Sequence, residues 1–157
     1  MHVRGAAYAV IAECLRIQAD ARPQRRLARA FGVSPLSDDA RGWYRAALGQ
    51  IEVVRALRNL GLSWTLLHPE PGTSDCDYLA IGSGGVVTVT IKNHSGQRVL
   101  VDTDQLLVNG RRTNHLRDAR FEAERISKLL STEASELIVV NPLIAVVDPS
   151  SLAFGSR

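Results

Sequence analysis

CDYLAIGSGGVVTVTIK, residues 76–92, decides how this chain is read. Two short apolar runs flank the glycine-rich Gly-Ser-Gly-Gly. The first, 76–81, is predicted to be a strand, and the second, 86–92, is rich in β-branched residues and predicts another. Gly82, Gly84 and Gly85 lead into a strand, not a helix, so they make a tight turn and no amide array for a phosphate. Side chains alternate along a strand. Thr88, Thr90 and Lys92 therefore share one face, and Val87, Val89 and Ile91 take the other. Asp77 opens the hairpin and Lys92 closes it. If the first strand begins early enough, Asp75 lies about 6.6 Å along the same face from Asp77.

The pattern extends in both directions. SWTLLH (63–68) predicts a strand and EPGTS a loop. RVLV (98–101) and LLVNGRRT (106–113) predict further strands, with a hairpin turn at Asn109-Gly110, where both residues tolerate positive φ. Four helices are expected. One covers 4–20, with Ala7, Val10, Ile11, Cys14 and Leu15 on one stripe. A short basic helix in RPQRRLARAFG follows Pro23 and ends at Gly32. A third runs from about Asp39 to Leu60, capped by Ser37 or Asp38, with Trp43, Ala47, Ile51, Val54 and Leu57 or Leu60 buried. The last covers 114–130, with Leu116, Ala119, Ala123, Ile126 and Leu130 inward. LIVVNPLIAVVD (137–148) predicts a final buried strand, broken at Pro142. This order implies an α/β fold: a small mixed sheet flanked by helices, with an inserted β-hairpin. Residues 1–36 read as an N-terminal helical extension and 37–157 as the main domain.

The 157 residues suffice for a real core. The net charge is +3, and nearly all the basic residues are arginine. Arginine suits phosphate because its planar fork donates two hydrogen bonds at once. Arg111, Arg112, Arg117 and Arg120 flank the hairpin and the following helix, where they read either as a nucleic-acid clamp or as a solvated face. Cys14 and Cys76 have no metal-ligand spacing, and no run is long and apolar enough to cross a bilayer. A reduced, cytoplasmic protein is expected. His68 and His115 read as surface or partly buried histidines, His94 as a loop histidine within reach of substrate, Glu122 and Glu124 as solvated helix residues or else substitute metal ligands, and Trp43 and Trp64 as core.

The spacing of Asp77 and Lys92 allows two readings. One is a cross-strand ion pair at a sheet end. The other is a metal site, in which hard carboxylate oxygens hold Mg²⁺ or Mn²⁺ and a lysine stabilises phosphate charge.

Three segments carry a likeness to a known family: WYRAALGQIEVVRALRNLGLSWTLLH, DCDYLAIGSGGVVTVTIKNHSG and LLVNGRRTNHLRDARFEAERISKLL. Together they resemble the nuclease-related domain (NERD) family, of the restriction-endonuclease-like PD-(D/E)xK superfamily. Actinobacterial members show a similar run. It comprises a GxxGE-like helix, D-x-D-H, a G-G-V turn, a strand ending in lysine, V-N-G and an Arg- and Glu-bearing helix. The likeness covers about residues 43–147. It implies an αβββαβ core, the order read above from the residues themselves. It implies that Glu52 is the helix acid, Asp77 the metal-binding aspartate and Lys92 the catalytic lysine, with Asp75 as the first acid of D-x-D-H. Metal ligands would then be Asp77, Glu52 and Asp75, the cofactor Mg²⁺ or Mn²⁺, and the partner nucleic acid, most simply DNA. A homodimer would suit double-strand cutting. Three positions depart from the pattern. Ile51 stands where the family has glycine, Tyr78 where it has histidine, and Thr90 where the superfamily has an acid two residues before the lysine. A hydroxyl is a weaker Mg²⁺ ligand than a carboxylate. The alternative reading is therefore a catalytically weakened nuclease fold that binds nucleic acid or protein.

Overall fold

The computed structural model describes residues 8–21, 36–59, 61, 63–69 and 73–155. Two compact units form, Met1–Val54 and Arg55–Arg157. Among the described residues there are three helices and two mixed four-stranded sheets.

The first unit contains α1 (Tyr8–Asp20) and most of α2 (Asp38–Arg58). Ser37 caps α2 as its side chain predicts, its Oγ accepting from the Ala40 amide at 3.2 Å. The thiol of Cys14 donates to the Ala40 carbonyl, and Gln18 Oε1 accepts from the Ser37 amide at 2.9 Å. Ala40, Ala47, Gln50 and Val54 are the buried side chains of α2. The expected stripe is corrected by this. Trp43 and Ile51 are exposed, as are Ile11 and Leu15 on α1. Small residues, not the tryptophan, occupy the close approach. The expected basic helix in 22–32 and Ala7 lie outside the described residues.

The second unit begins its sheets with β1 (Trp64–Leu67), β2 (Tyr78–Gly82) and β3 (Gly85–Asn93), which pair antiparallel in that order. The Gly82↔Gly85 pair closes the β2–β3 turn, with Gly85 at φ 112°. β7 (Val140–Val147) then adds parallel to β3 and completes the first sheet. The predicted break at Pro142 does not occur. β7 is the outer strand of its sheet, so the missing proline N–H removes no ladder bond on the open side.

The inserted strands form a sheet of their own. β4 (Arg98–Asp102), β5 (Gln105–Val108) and β6 (Arg111–Thr113) pair antiparallel, and Asn109 (φ 50°) and Gly110 (φ 79°) make the expected turn. The fourth strand is β8 (Ser151–Phe154), parallel to β4. The strand expected at 137–148 is β7; the second sheet and the later strand β8 are additions to the expected order. β3 with β7, and then β4 with β8, run side by side across both sheets. The Ser150 amide donates to the Gln97 carbonyl at 2.9 Å between them.

α3 (His115–Ala134) covers the first sheet. Ala123 and Ile126 pack with Val140, joined by Leu79, Val86, Leu130 and Ile138. Leu116, at its start, meets the second core of Val99, Leu106 and Val108. The predicted stripe of this helix is the one that turns inward. Strand parity places Val86, Thr88, Thr90 and Lys92 on the helix-covered face.

Candidate active site

Asp77 sits just outside β2. Its amide donates to the Val89 carbonyl at 2.9 Å, while the next residue, Tyr78, also pairs with Val89. Two residues thus address one, and the strand bulges where it begins. The shared-face argument for Asp75 and Asp77 fails for this reason: residues 75–77 are bent, not extended. The Asp77 carboxylate folds over β3 instead, where Oδ2 accepts from the Ile91 amide at 2.7 Å. That amide precedes Lys92. Lys92 is half-buried at the end of the helix-covered face, and Thr90 is buried two residues before it.

Asp75 is exposed, but the chain around it is held. Glu122 on α3 is 2 % exposed. It accepts a short hydrogen bond from the Ser74 hydroxyl and one from the Asp75 amide at 3.3 Å. Arg125 donates to both its oxygens and also to the Thr73 carbonyl. The Arg125 hydrogen bonds hold the Glu122 carboxyl below its usual range against the opposing effect of burial. Glu122 is therefore a buried tether, not the expected solvated residue, and its oxygens are engaged by Arg125 and Ser74. Glu124 is exposed as expected. Between the two aspartates, burial pushes the Cys76 thiol up, with Ser74 opposing. The sequence held one signal for the tether: Glu122 occupies the inward stripe of α3, between Ala119 and Ala123.

Glu52 is exposed on α2 in the other unit. Among the described residues no three His, Cys, Asp or Glu side chains converge as a metal cluster. Asp75 and Asp77, by contrast, lie in the second unit with Lys92. Two carboxylates suit Mg²⁺, which keeps several waters and binds through one or two carboxylates plus substrate phosphate.

Two histidines read separately in the sequence meet. The His94 and His115 rings lie 5.3 Å apart, centre to centre. His115 titrates below its ordinary value, first through burial, then through the Lys92 cation and His94, with Asp118 opposing. His68, by contrast, is exposed and rests edge-on against Tyr78.

The four arginines are exposed, and three have neighbours. Arg112 donates to Gln105, Arg117 to Asp118 at 2.8 Å, and Arg120 lies 3.8 Å from Asp104. Arg111 and Arg112 are successive strand residues and point to opposite faces. Arg120 also lines an apolar groove of about 360 Å³ with Leu106, Leu116 and Phe154; neither aspartate nor Lys92 does.

The nuclease-related domain matches residues 45–147, more than half of the chain. The chain belongs to the nuclease-related domain family. No curated protein and no solved structure matches it. The matched span of this nuclease-related domain takes in Glu52, Asp75, Asp77, Thr90, Lys92 and all four arginines. No described helix is long and apolar enough to cross a membrane.

Proposed function

We propose that this nuclease-related domain protein cleaves DNA phosphodiesters with a divalent metal, as a restriction-endonuclease-like PD-(D/E)xK enzyme of actinobacterial type. The observation that carries the reading is the Asp77 carboxylate held on the Ile91 amide, directly before Lys92. It sets a carboxylate against the strand backbone one residue before the lysine. Asp77 and Asp75 are the metal ligands, and the family likeness gives Glu52 the place of the helix acid. Mg²⁺ or Mn²⁺, when bound, lowers the pKa of a water and offsets phosphate charge. Lys92 donates hydrogen bonds to the phosphoryl oxygens as their charge grows. Arg111, Arg112, Arg117 and Arg120 bind the backbone, exchanging weak surface contacts for phosphate.

The test is cleavage of supercoiled plasmid and of single-stranded DNA with each metal, beside Asp77→Ala, Lys92→Ala and Glu52→Ala. Loss of about 10²–10³-fold in each folded variant is expected. Unchanged cutting in Asp77→Ala and Lys92→Ala would sink the reading.

One observation favours a second reading. Thr90 is buried and neutral where an acid is wanted. A protein that binds DNA in a salt-sensitive way without turnover would follow. Silence of the wild type with both metals, together with DNA binding, would select it.

A further inference from the structure

We infer that His115 is a catalytic residue of this site: the base that takes a proton from the water attacking the phosphodiester, beside Lys92. The inference rests on the cleavage reading above and adds a residue to it. A lysine ammonium only donates, so a site built on Lys92 needs a separate proton acceptor. The Asp77 carboxylate already receives the Ile91 amide at 2.7 Å. Thr90, where an acid would stand, is buried and neutral. Glu122 is taken up by Arg125 and Ser74.

His115 meets the requirement. It opens α3 and is half-buried, with its ring 5.3 Å from that of His94. The groups that act on its charge are Lys92 from β3, His94 from the segment after it and Asp118 on its own helix. Burial and the Lys92 cation keep the imidazole neutral to lower pH than usual, with a lone pair available. His94 is fixed in turn. Its Nδ1 contacts Gln97 Oε1 at 2.9 Å, and its amide donates to the Val147 carbonyl at 3.0 Å. Among the described residues its Nε2 is buried with no hydrogen-bond partner. Two touching imidazoles resist double protonation, so His94 helps hold His115 neutral.

In the step, the water oxygen bonds to phosphorus and its proton passes to a ring nitrogen of His115. The phosphorus–oxygen bond to the leaving group breaks. The departing alkoxide takes a proton from solvent, and the His115 imidazolium returns its own to solvent.

The experiment is single-turnover cleavage of a labelled DNA duplex across acid to neutral pH. It uses wild type, His115→Gln, His115→Ala with added imidazole, and Lys92→Ala, together with an NMR titration of the histidines. Wild type should slow in acid as His115 protonates. His115→Gln should lose about 10²-fold or more and lose that acid limb. Imidazole should restore part of the rate to His115→Ala. Lys92→Ala should raise the titration midpoint of His115. A His115→Gln protein that cuts at the wild-type rate with the same acid limb, while Lys92→Ala is silent, overturns the inference and leaves the cleavage reading standing. An unmoved His115 midpoint in Lys92→Ala overturns it without reference to turnover. A wild type that cuts with neither metal overturns both.

Discussion

Arg125 holds Glu122 by both oxygens. Its Nε donates to Oε2 at 2.8 Å and its Nη2 to Oε1 at 2.7 Å, one turn apart on α3. Glu122 is buried, while the Arg125 side chain is 41 % exposed. Through Thr73, Ser74 and Asp75 the pair ties the chain before β2 to the helix. Asp77 follows directly. The carboxylates of the proposed site are thus carried on a segment that this ion pair helps to anchor.

Removing one partner should be costly, because a charge is then left buried. Arg125→Ala is expected to lower stability by about 1.5–3 kcal/mol, the range for hydrogen bonds to charged groups. Urea unfolding measures it. A midpoint equal to wild type would show that the tether contributes nothing.

The same pair sets a pH dependence. The folded Glu122 carboxyl lies below its unfolded value, so its share of stability is full above the unfolded value. That share is lost as pH falls through the folded one. Urea midpoints followed into acid should fall for wild type, and Glu122→Gln should lack this component. Parallel curves for the two proteins would refute the assignment.

Gly82 lies under the Trp64 ring, its partner across β1 and β2. A β-carbon there would meet Trp64 Cε3 at 2.7 Å and Cε2 at 2.8 Å. Gly82→Ala should cost about 1–3 kcal/mol by overpacking, and Trp64→Leu should recover part of that in the double variant. Thermal melting of the four proteins of this cycle gives the coupling; strict additivity would be the contrary result.

Thr90→Asp tests the departure from the superfamily pattern. A carboxylate on the buried, helix-covered face should lower the metal-free melting temperature. Mg²⁺ should then raise the melting temperature of the variant more than that of wild type. An identical metal response in both proteins would show that position 90 does not face a metal.

What the sequence determined by itself is the local grammar. Ser37 announces the cap of α2, Asn109-Gly110 the β5–β6 turn, and β-branched 86–92 the central strand; the inward stripe of α3 is legible from Leu116 to Leu130. Each depends on near neighbours in the chain, through side-chain period, capping oxygens or tolerance of positive φ. The αβββαβ order follows from these. Only the tertiary structure decided the rest. Pro142 is tolerated because β7 ends its sheet, and SLAF becomes β8 because β4 offers an edge, although all four residues stay exposed. Trp43 turns outward because α2 buries small residues instead. Asp77 leaves the alternation at a bulge, Glu122 becomes a buried tether to residues 47 and 48 positions away, and His94 meets His115. Those contacts join residues far apart in the chain. Their energies depend on which edges are open and which charges share a buried space, and no local period of residues encodes that.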